Sequence, residues 1–593
     1  MNAAGGGEPV PIGSLASLAH AHESTIGAVR DDSPTPGDDR NLSWELETSH
    51  FPAPLTRWAA TLYVTEETRV IKELCRDYGL MIDGVEMKEF HGRVYSALVP
   101  IGGKARKPPP SFLVPLLCKV VPPLRRRIAN ARRAEAADAY TEVVERWLGG
   151  QEQAMLEEGH ELIDRPLDGA TEAEVADALE AASDLAVRGT RQHFLLHGTG
   201  VDTIGRLGLR LDRAGWSTAE VTELFTGLSD TSTGPARAQA EIVERVRATP
   251  AGLDALASAR TLDEVAAISA EVATAVTSYL DTWGRRAVRY EVVEATVAER
   301  PEWVLGLLQD QAADGGRRPA AGGAADDEQR RRGAAERAEA ALGGGADARR
   351  LVERAQRAFP IREGNETATV GVPVAALRRI GLVVGARLAA SGALERTEDV
   401  FDLELAEVIA LLRGTAGAPA EPAALARRRR EARLAAGRAR VPATLGPPAA
   451  GPPDLAGFPA DIAEGVAATI WYTDKIFGDR TEAPSSPDGG VCGVGVSPGV
   501  YEGTARVVLD ESGFDRIEAG DVLVCSITSP VWSMVFPSLG ALVCDAGGPL
   551  SHPAIIAREF GIPAVVGAGT ATAVLDDGAQ VRVDGRAGTV SVL

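Results

Sequence analysis

The pattern of the chain changes near residue 490, and this change sets the main limit on its architecture. Residues 491–593 contain short β-rich runs separated by glycine turns, among them TARVVLD, DVLVCSI, GALVCDA, AQVRVDG and GTVSVL. A single helical run, HPAIIAREF, interrupts them. Strands of this length around one helix predict a compact α/β domain of the β/β/α kind. The segment before it, 441–490, is rich in proline and glycine and predicts a linker.

The rest of the chain has a predominantly helical pattern. Windows such as EAEVADALEAASDLAVRG carry apolar residues at helical spacing, and Ser217 with Glu220 gives a capping-box signature. We therefore predict a large, mainly α-helical body over residues 41–440. Within it, the low-complexity stretch 310–348 indicates an insertion that forms a surface loop leading into an exposed helix. Residues 1–40 have the composition of a disordered terminus.

The charge balance excludes some classes of partner. The 593 residues carry 83 acidic and 62 basic side chains, a formal charge of −21, which argues against a nucleic-acid-binding surface. The sequence starts without a signal-peptide pattern, its five cysteines show no CxxC spacing, and its apolar stretches are too short or too broken to span a membrane. We expect a cytoplasmic protein that uses neither nucleic acid nor a membrane as its partner.

The segment DAGGPLSHPAIIAREFGIPAVVG is the most informative part of the sequence. A strand runs into Gly547 and Gly548, where the missing Cβ atoms let backbone amides approach a ligand. Ser551 stands at the N-cap position, His552 opens the helix, and Gly561 ends it as a C′ glycine. Unpaired amides and the positive end of a helix dipole favour a bound phosphate. The pattern therefore predicts a phosphate site around the histidine.

A histidine in this position has two interpretations. Histidines beside helix caps are commonly structural. In the chemical interpretation, the neutral imidazole of His552 attacks phosphorus while glycine amides, the helix end and Ser551 hold the negative charge. Phosphohistidine is a reactive P–N species, so this interpretation makes His552 a relay that passes the phosphoryl group to an acceptor.

Several ordered motifs of the C-terminal region resemble those of a known family. GVSPGVYEGTARVV, AGDVLVCSITSP, ALVCDAGGPLSHPAIIAREFGIPAVVG and VRVDGRAGTVSVL closely resemble the swivelling phosphohistidine domain of the phosphoenolpyruvate-utilising enzymes. The resemblance covers residues 495–593 and implies that His552 is the phosphorylated histidine. The pair Leu550–Ser551 is more similar to the rifampin phosphotransferase branch than to phosphoenolpyruvate synthase.

The helical body has a weaker resemblance to the same branch. WELETSHFPAPLTRW, AQRAFPIREGNE, LRRIGLVVGARLAASGAL and EDVFDLELAEV resemble the acceptor-binding region of rifampin phosphotransferase and of phenylphosphate synthase. The resemblance implies that ATP phosphorylates the histidine at an ATP-grasp domain, releasing AMP and phosphate. The small domain then swings to an acceptor that offers a hydroxyl group.

The sequence itself lacks the pattern of a nucleotide site. None of its six lysines lies in a Gly-rich, strand-flanked context, and GxxxxGK[ST] does not occur. The eightfold strand and helix alternation of a pyruvate-binding barrel is also missing. The layout resembles the histidine-bearing subunit of phenylphosphate synthase, so we expect a separate ATP-grasp partner that binds ATP and Mg²⁺. We expect no tightly bound cofactor and no metal in this chain.

Candidates for the acceptor site are histidines and arginines of the body, because the acceptor hydroxyl must be oriented and deprotonated while phosphoryl charge is neutralised. His50 and Arg57 lie in HFPAPLTRW, where a purely conformational role is the alternative. His193 and His197 stand four residues apart on one helix face. We assign them to the acceptor pocket, with His193 as the candidate general base. Helix packing is the alternative for both.

Two arginines remain as candidates. Arg362, in PIREGNE, is assigned to the acceptor pocket, and with Glu363 it is also a candidate for the surface on which the mobile domain docks; an internal ion pair is the alternative. Arg558 lies two turns into the helix after His552. The family pattern favours phosphate binding by Arg558, and an ion pair with Asp545 is the alternative.

The sequence leads to one preferred function and two alternatives. The preferred function is a dikinase-type phosphotransferase that passes a phosphoryl group from ATP, through His552, to a hydroxyl of a small, apolar or aromatic acceptor. The first alternative is a phosphocarrier or regulatory phosphohistidine protein without acceptor chemistry, although a bare carrier needs only the small domain. The second is an enzyme similar to phosphoenolpyruvate synthase with a divergent acceptor domain.

Overall fold

The computed structural model shows a mainly helical body followed by a C-terminal sheet domain. The described residues are 41–48, 50–103, 109–228, 230–287, 289–313, 324–449, 451, 453–478 and 490–593. The terminus that we expect to be disordered, 1–40, lies outside the described residues. Residues 314–323 of the low-complexity insertion also lie outside them, and the rest of the insertion includes the helix Ala324–Ala341.

One long helix, Glu172–Arg213, organises the body. It begins with a capping box in which Thr171 and Glu174 satisfy each other's backbone amides. Helices from both ends of the sequence pack around it. The other α-helices before the C-terminal domain are Arg57–Ala59, Thr65–Asp77, Val114–Val120, Pro122–Ala136, Ala139–Arg146, Glu152–Asp164, Thr218–Glu223, Asp230–Ala248, Gly252–Ser258, Leu262–Ala266, Ala270–Tyr279, Pro301–Ala313, Ala324–Ala341, Gly345–Glu366, Val372–Ala390, Leu405–Arg413, Pro422–Arg438 and Ala460–Phe477.

Short turns of π-helix continue several of these helices, and three of the four turns lead directly into the next helix. They lie at Ala60–Val64, Trp147–Gln151, Leu280–Gly284 and Thr367–Gly371. The last of them makes Gly345–Ala390 one continuous helical segment, which is long and apolar enough to cross a membrane by length and composition. The sequence-based expectation that no segment reaches this length is therefore wrong. The apolar part of the segment is mostly buried inside the protein, as in a core helix.

A four-stranded antiparallel sheet covers one side of the body. Its strands are β1 (Trp44–Leu46), β2 (Gly84–Phe90), β3 (Arg93–Val99) and β4 (Thr444–Leu445), in the order β2-β3-β1-β4. The helical pattern of the region did not predict this sheet. Its last strand brings a segment near residue 440 back to the start of the body.

The interval that we predicted to be a linker, 441–490, is only partly irregular. It contributes β4 and the 18-residue helix Ala460–Phe477, which we call the connecting helix. This helix packs along Glu172–Arg213, where a Cβ at Gly208 would lie 2.0 Å from the Trp471 ring. Buried tertiary contacts therefore order a segment whose composition predicts a linker. The remainder, 479–489, lies outside the described residues.

The C-terminal domain is built on an eight-stranded mixed sheet. The strands β7, β8, β9 and β10 are parallel at its centre, and the order across the sheet is β5-β12-β11-β7-β8-β9-β10-β6. The helices are His552–Phe560 and Ala571–Val574. The strands are β5 (Val491–Cys492), β6 (Val494–Ser497), β7 (Val500–Val507), β8 (Val522–Cys525), β9 (Ala541–Cys544), β10 (Ala564–Val566), β11 (Gln580–Asp584) and β12 (Thr589–Val592).

In this structure the C-terminal domain is docked on the body through a shared apolar core. The ring of Trp303, from the body, meets Phe514 edge-on at 5.6 Å, and Phe514 meets Trp532 at 4.9 Å. At the margin, Arg289 of the body forms a 2.7 Å ion pair with the buried carboxylate of Glu511. The docking places the loop before His552 against helical elements of the body.

Candidate active site

The candidate active site begins where β9 ends. The histidine loop, which we define as residues 545–551, follows this strand and enters the helix His552–Phe560. Ser551 has the extended backbone of an N-cap, and Gly561 ends the helix in the left-handed region at φ 62°. The Ser551 hydroxyl is buried, but it does not cap the helix and has no hydrogen-bond partner in the described part of the chain. A buried hydroxyl in this state can donate to a phosphoryl oxygen.

The two glycines of the histidine loop are held in different ways. Gly547 has a φ of 110°, which requires glycine, but the Gly548 amide is directed at the body. It donates to the Ile476 carbonyl oxygen at 2.8 Å, and the Leu550 amide donates to the Lys475 carbonyl oxygen at 2.7 Å. The loop therefore satisfies the last carbonyl groups of the connecting helix. In this docked arrangement the Gly548 amide is not directed at a phosphate.

Arg558 holds the loop from within its own domain. Its guanidinium donates to the carbonyl oxygens of Pro549 at 3.0 Å and Val496 at 3.3 Å. The alternative ion pair with Asp545 does not form. Asp545 instead accepts hydrogen bonds from the amide, at 3.1 Å, and the hydroxyl of Thr572.

A second arginine reaches the loop from the body. Arg362 is buried and donates to the Leu550 carbonyl oxygen at 2.7 Å. Burial lowers the pKa of Arg558 to about 10; Glu559 opposes this shift, and the charge of Arg362 adds to it. Two guanidinium groups therefore lie close together beside the backbone just before His552. Cations in such a position attract the oxygens of a phosphoryl group.

The histidines that we predicted for the acceptor pocket come together inside the body. The rings of His193 and His197 are 4.4 Å apart, and Tyr290 lies 6.1 Å from His193 and 5.6 Å from His50. We call these four side chains the buried cluster; His193 and Tyr290 are buried, and His50 and His197 are half-buried. Burial, followed by the charges of His197 and His50, holds the pKa of His193 well below its usual value. His193 is therefore neutral at physiological pH.

Hydrogen bonds define which nitrogen of His193 is basic. The side-chain amide of Asn365 donates to the carbonyl oxygens of Ile361 at 2.8 Å and Arg362 at 2.9 Å, which identifies the other atom as its oxygen. That oxygen lies 2.9 Å from Nδ1 of His193, so Nδ1 carries the proton. The Nε2 atom is then the hydrogen-bond acceptor, as a general base requires.

Carboxylates that the sequence did not single out surround His50. Its pKa rises to about 9 because the hydrogen bond to Glu47 and the charges of Glu67, Glu47 and Glu366 together outweigh burial. Burial raises the pKa of Glu67 to about 8, which His50 opposes. Burial and the same carboxylates raise the pKa of Tyr290 well above 10. The two adjacent glutamates of TEET, in the first turn of the helix Thr65–Asp77, were the available signal for Glu67.

Arg57 is engaged in a different contact. Its guanidinium donates to the Glu404 carboxylate at 2.8 Å and lies 3.8 Å from Glu89. Glu404 precedes the helix Leu405–Arg413 and belongs to its capping box. Arg57 therefore ties the start of the body to a later helix, and these contacts give it no role at the buried cluster.

One helix connects the histidine loop to the buried cluster. Within Gly345–Glu366, Arg362 contacts Leu550 and Asn365 contacts His193. Three residues advance an α-helix by about 4.5 Å. The loop that precedes the candidate phosphohistidine and the neutral histidine of the cluster therefore bind to adjacent positions of the same helical turn.

Comparison with known proteins supports the assignment of the C-terminal domain. The family described as PEP-utilising enzyme, mobile domain, matches residues 517–588, which include His552. An uncharacterized phosphotransferase, YvkC, of Bacillus subtilis is 38% identical over 140 residues, which are 24% of this chain and 17% of that protein. Rifampicin phosphotransferase of Streptomyces sviceus is 48% identical over 107 residues, 18% of this chain and 12% of the enzyme.

A third relative is named for a different activity. Phosphoenolpyruvate synthase of Aeropyrum pernix is 44% identical over 127 residues, 21% of this chain and 16% of the enzyme. In all three cases the matched part spans less than a fifth of the relative's length. The sequence matches, the sheet domain and the helix that begins at His552 all support the same assignment of the C-terminal domain. The C-terminal part of the chain therefore contains a mobile domain of the phosphoenolpyruvate-utilising enzyme type, and this domain resembles the matching part of rifampicin phosphotransferase.

Proposed function

We propose that this protein is a phosphotransferase component that relays a phosphoryl group through His552 to a hydroxyl of a small organic acceptor. The acceptor is held at the buried cluster, whose aromatic rings suit an apolar or aromatic molecule. The observation that carries the proposal is the shared helix: Arg362 and Asn365 contact the histidine loop and the cluster from one turn. In this proposal the phosphorylated His552 and the acceptor hydroxyl meet beside this one helical turn.

In the first half-reaction, the unprotonated ring nitrogen of His552 attacks the β-phosphorus of ATP. A P–N bond forms, the bond from the β-phosphorus to the oxygen of the α-phosphate breaks, and AMP leaves; water then breaks the bond between the β- and γ-phosphates and releases phosphate. With one water, ATP is converted to AMP, phosphate and the phosphoryl group retained on the histidine. The proton on the other ring nitrogen of His552 leaves to solvent. We propose that this step occurs at an ATP-grasp partner subunit with Mg²⁺, because none of the six lysines has the sequence context of a nucleotide site.

In the second half-reaction, the acceptor oxygen attacks phosphorus, the P–O bond forms and the P–N bond breaks. The bonding pair returns to the ring of His552. The Nε2 atom of His193 accepts the hydroxyl proton, since Nδ1 donates to Asn365. Arg558 and Arg362 balance the charge on the phosphoryl oxygens during transfer. A buried site keeps water from competing with the acceptor.

The experiment combines the purified chain with its ATP-grasp partner and ATP labelled in the β-phosphate. We expect acid-labile label on the chain only when the partner is present, and loss of that label when an acceptor is added. The partner and acceptor candidates are taken from genes adjacent to this one. Labelling by ATP without the partner would contradict the divided architecture. Stable label that no hydroxyl compound removes would favour the phosphocarrier alternative.

The variant that tests the second half-reaction is His193→Gln, which keeps a hydrogen-bond donor toward Asn365. We expect this variant to accept label normally and to transfer it at least tenfold more slowly. His552→Ala should accept no label while the domain remains folded. Equal transfer by His193→Gln and the wild type would remove His193 from the mechanism and leave the relay intact.

A further inference from the structure

An exposed apolar stripe lies on the helical body, outside every element of the candidate active site. The 3₁₀ turn Ser111–Leu113 leads into the helix Val114–Val120. Phe112, Leu116 and Val120 recur every fourth residue on this segment and are 77%, 56% and 56% exposed. Side chains at this spacing share one face of a helix. We call these three residues the surface stripe.

The helix that carries the stripe is firmly held by its opposite face. Val114 and Cys118 are buried against Ile128 and Ile462. At the start of the helix, a Cβ at Gly457 would lie 2.5 Å from the Ser111 carbonyl oxygen, so the backbone is packed closely there. The stripe is therefore a fixed feature of the surface and projects large apolar side chains into solvent.

The stretch of sequence that carries the stripe has a charge opposite to that of the whole chain. The chain has a formal charge of −21, yet residues 109–133 contain six basic residues and no acidic residue. Lys119, next to the stripe, and Arg125 and Arg126, on the following helix, are exposed. Within the part of the chain that the structure describes, none of these three has an ion pair. Their positive charge is available to an external anionic surface.

We propose that the surface stripe and its three flanking cations bind the protein peripherally to anionic lipid membranes. Large apolar side chains on one face with lysine and arginine at the edge are characteristic of helices that lie in the membrane interface. Anionic headgroups attract such cations, while the rest of this acidic protein is repelled. An anionic lipid surface fits better than an apolar protein groove because it matches both the apolar side chains and the cations beside them. Binding of this kind needs no membrane-spanning segment, so the short and broken apolar stretches of the sequence do not exclude it.

The test is co-flotation of the full-length protein with vesicles. Vesicles of phosphatidylcholine alone are compared with vesicles that contain about one third phosphatidylglycerol. We expect the wild type to float only with the anionic vesicles. Raising the salt concentration to roughly 0.5 M should lower the bound fraction about tenfold, because it screens the headgroup charge. No flotation with anionic vesicles at low salt would overturn the proposal.

Two variants separate the contributions of the stripe and the cations. Phe112→Ser, Leu116→Ser and Val120→Ser together should lower binding at least about tenfold, because they remove the apolar contact. In the matched control, serine replaces Leu98 and Leu434, which are 66% and 49% exposed elsewhere. The control should bind like the wild type. Equal losses in both variants would overturn the assignment to this helix.

A charge variant completes the test. The substitutions Lys119→Glu, Arg125→Glu and Arg126→Glu together should abolish the preference for anionic vesicles. Circular dichroism melting curves should match the wild type for every variant, since the substituted side chains are exposed. A stripe variant that floats normally but loses activity only at low concentrations of the partner subunit would show a protein-docking surface, and would overturn the lipid proposal.

Discussion

The substitution Gly548→Ala tests whether the histidine loop is bound to the connecting helix. Gly548 does not have a positive φ, so alanine can adopt its backbone conformation without strain. The obstacle is external: a Cβ at this position would lie 2.6 Å from the Lys475 carbonyl oxygen and 2.9 Å from that of Asp474. The substitution should therefore separate the loop from the helix and leave the loop's own domain folded.

The size of the effect follows from the contacts that would be lost. The loop must retreat by most of an ångström, which removes the bonds from the Gly548 amide to Ile476 (2.8 Å) and from the Leu550 amide to Lys475 (2.7 Å). Each is worth about 0.5–1.5 kcal/mol net. The two together give about 1–3 kcal/mol, or roughly 5- to 150-fold in the equilibrium between bound and detached loop.

Hydrogen exchange measured by mass spectrometry reads this equilibrium directly. Peptides that cover the histidine loop and the end of the connecting helix should exchange faster in the variant, by about the same factor. Peptides from β8 should be unchanged. The matched control is Gly513→Ala, whose Cβ would meet only the Val508 side chain. Unchanged protection of the loop in Gly548→Ala would refute the docking geometry.

Three further predictions follow from the same structure. Arg362→Met removes a charged hydrogen bond worth about 1.5–3 kcal/mol. The rate of transfer to the acceptor should therefore fall tenfold or more, while labelling of the histidine persists. An unchanged transfer rate would contradict the proposed role of Arg362. The pKa values of His50 (about 9) and Glu67 (about 8) are above their ordinary values, so both groups bind a proton more tightly in the folded state. The stability that these two groups contribute is full below their ordinary pKa values and is lost as the pH rises through 8 and then 9. Calorimetry should therefore show a Tm that falls as the pH rises over this range. The Glu67→Gln variant should show a smaller fall in Tm. Gly208→Ala places a Cβ 2.0 Å from the Trp471 ring and should destabilise the packing of the connecting helix by about 1–3 kcal/mol in urea unfolding; an unchanged midpoint would contradict that packing.

Local signals in the sequence were sufficient for the helix that carries the candidate phosphohistidine. Ser551 and Gly561 mark its two ends through cap geometry, which depends on only a few neighbouring residues. The role of Gly548 could not be predicted in this way. Its close approach is to the connecting helix, which lies in a segment whose prolines and glycines predict a linker. The signal for that helix was the apolar spacing in ADIAEGVAATIWYTDKIF.

In the buried cluster, too, the sequence predicts contacts between residues that are close along the chain but not contacts between distant ones. The four-residue spacing of His193 and His197 predicts neighbouring rings, and the structure has them 4.4 Å apart. Tyr290 and Glu67 come from distant parts of the chain, so only tertiary packing brings them to these histidines. The antiparallel strands β2 and β3 were missed because the helical pattern of the surrounding region dominated the interpretation.

The most direct test of the central claim is to map where the protein accepts a phosphoryl group. Phosphoramidate, a small donor that phosphorylates histidine without an enzyme, removes the need for the proposed partner subunit. The chain has eight histidines, so the reagent can distinguish among them. We predict that peptide mapping under alkaline conditions finds the added phosphoryl group on His552. A small hydroxyl acceptor should then remove it at least tenfold faster from the wild type than from Arg362→Met. Phosphorylation confined to other histidines, or a phosphorylated His552 that no hydroxyl compound discharges, would contradict the account.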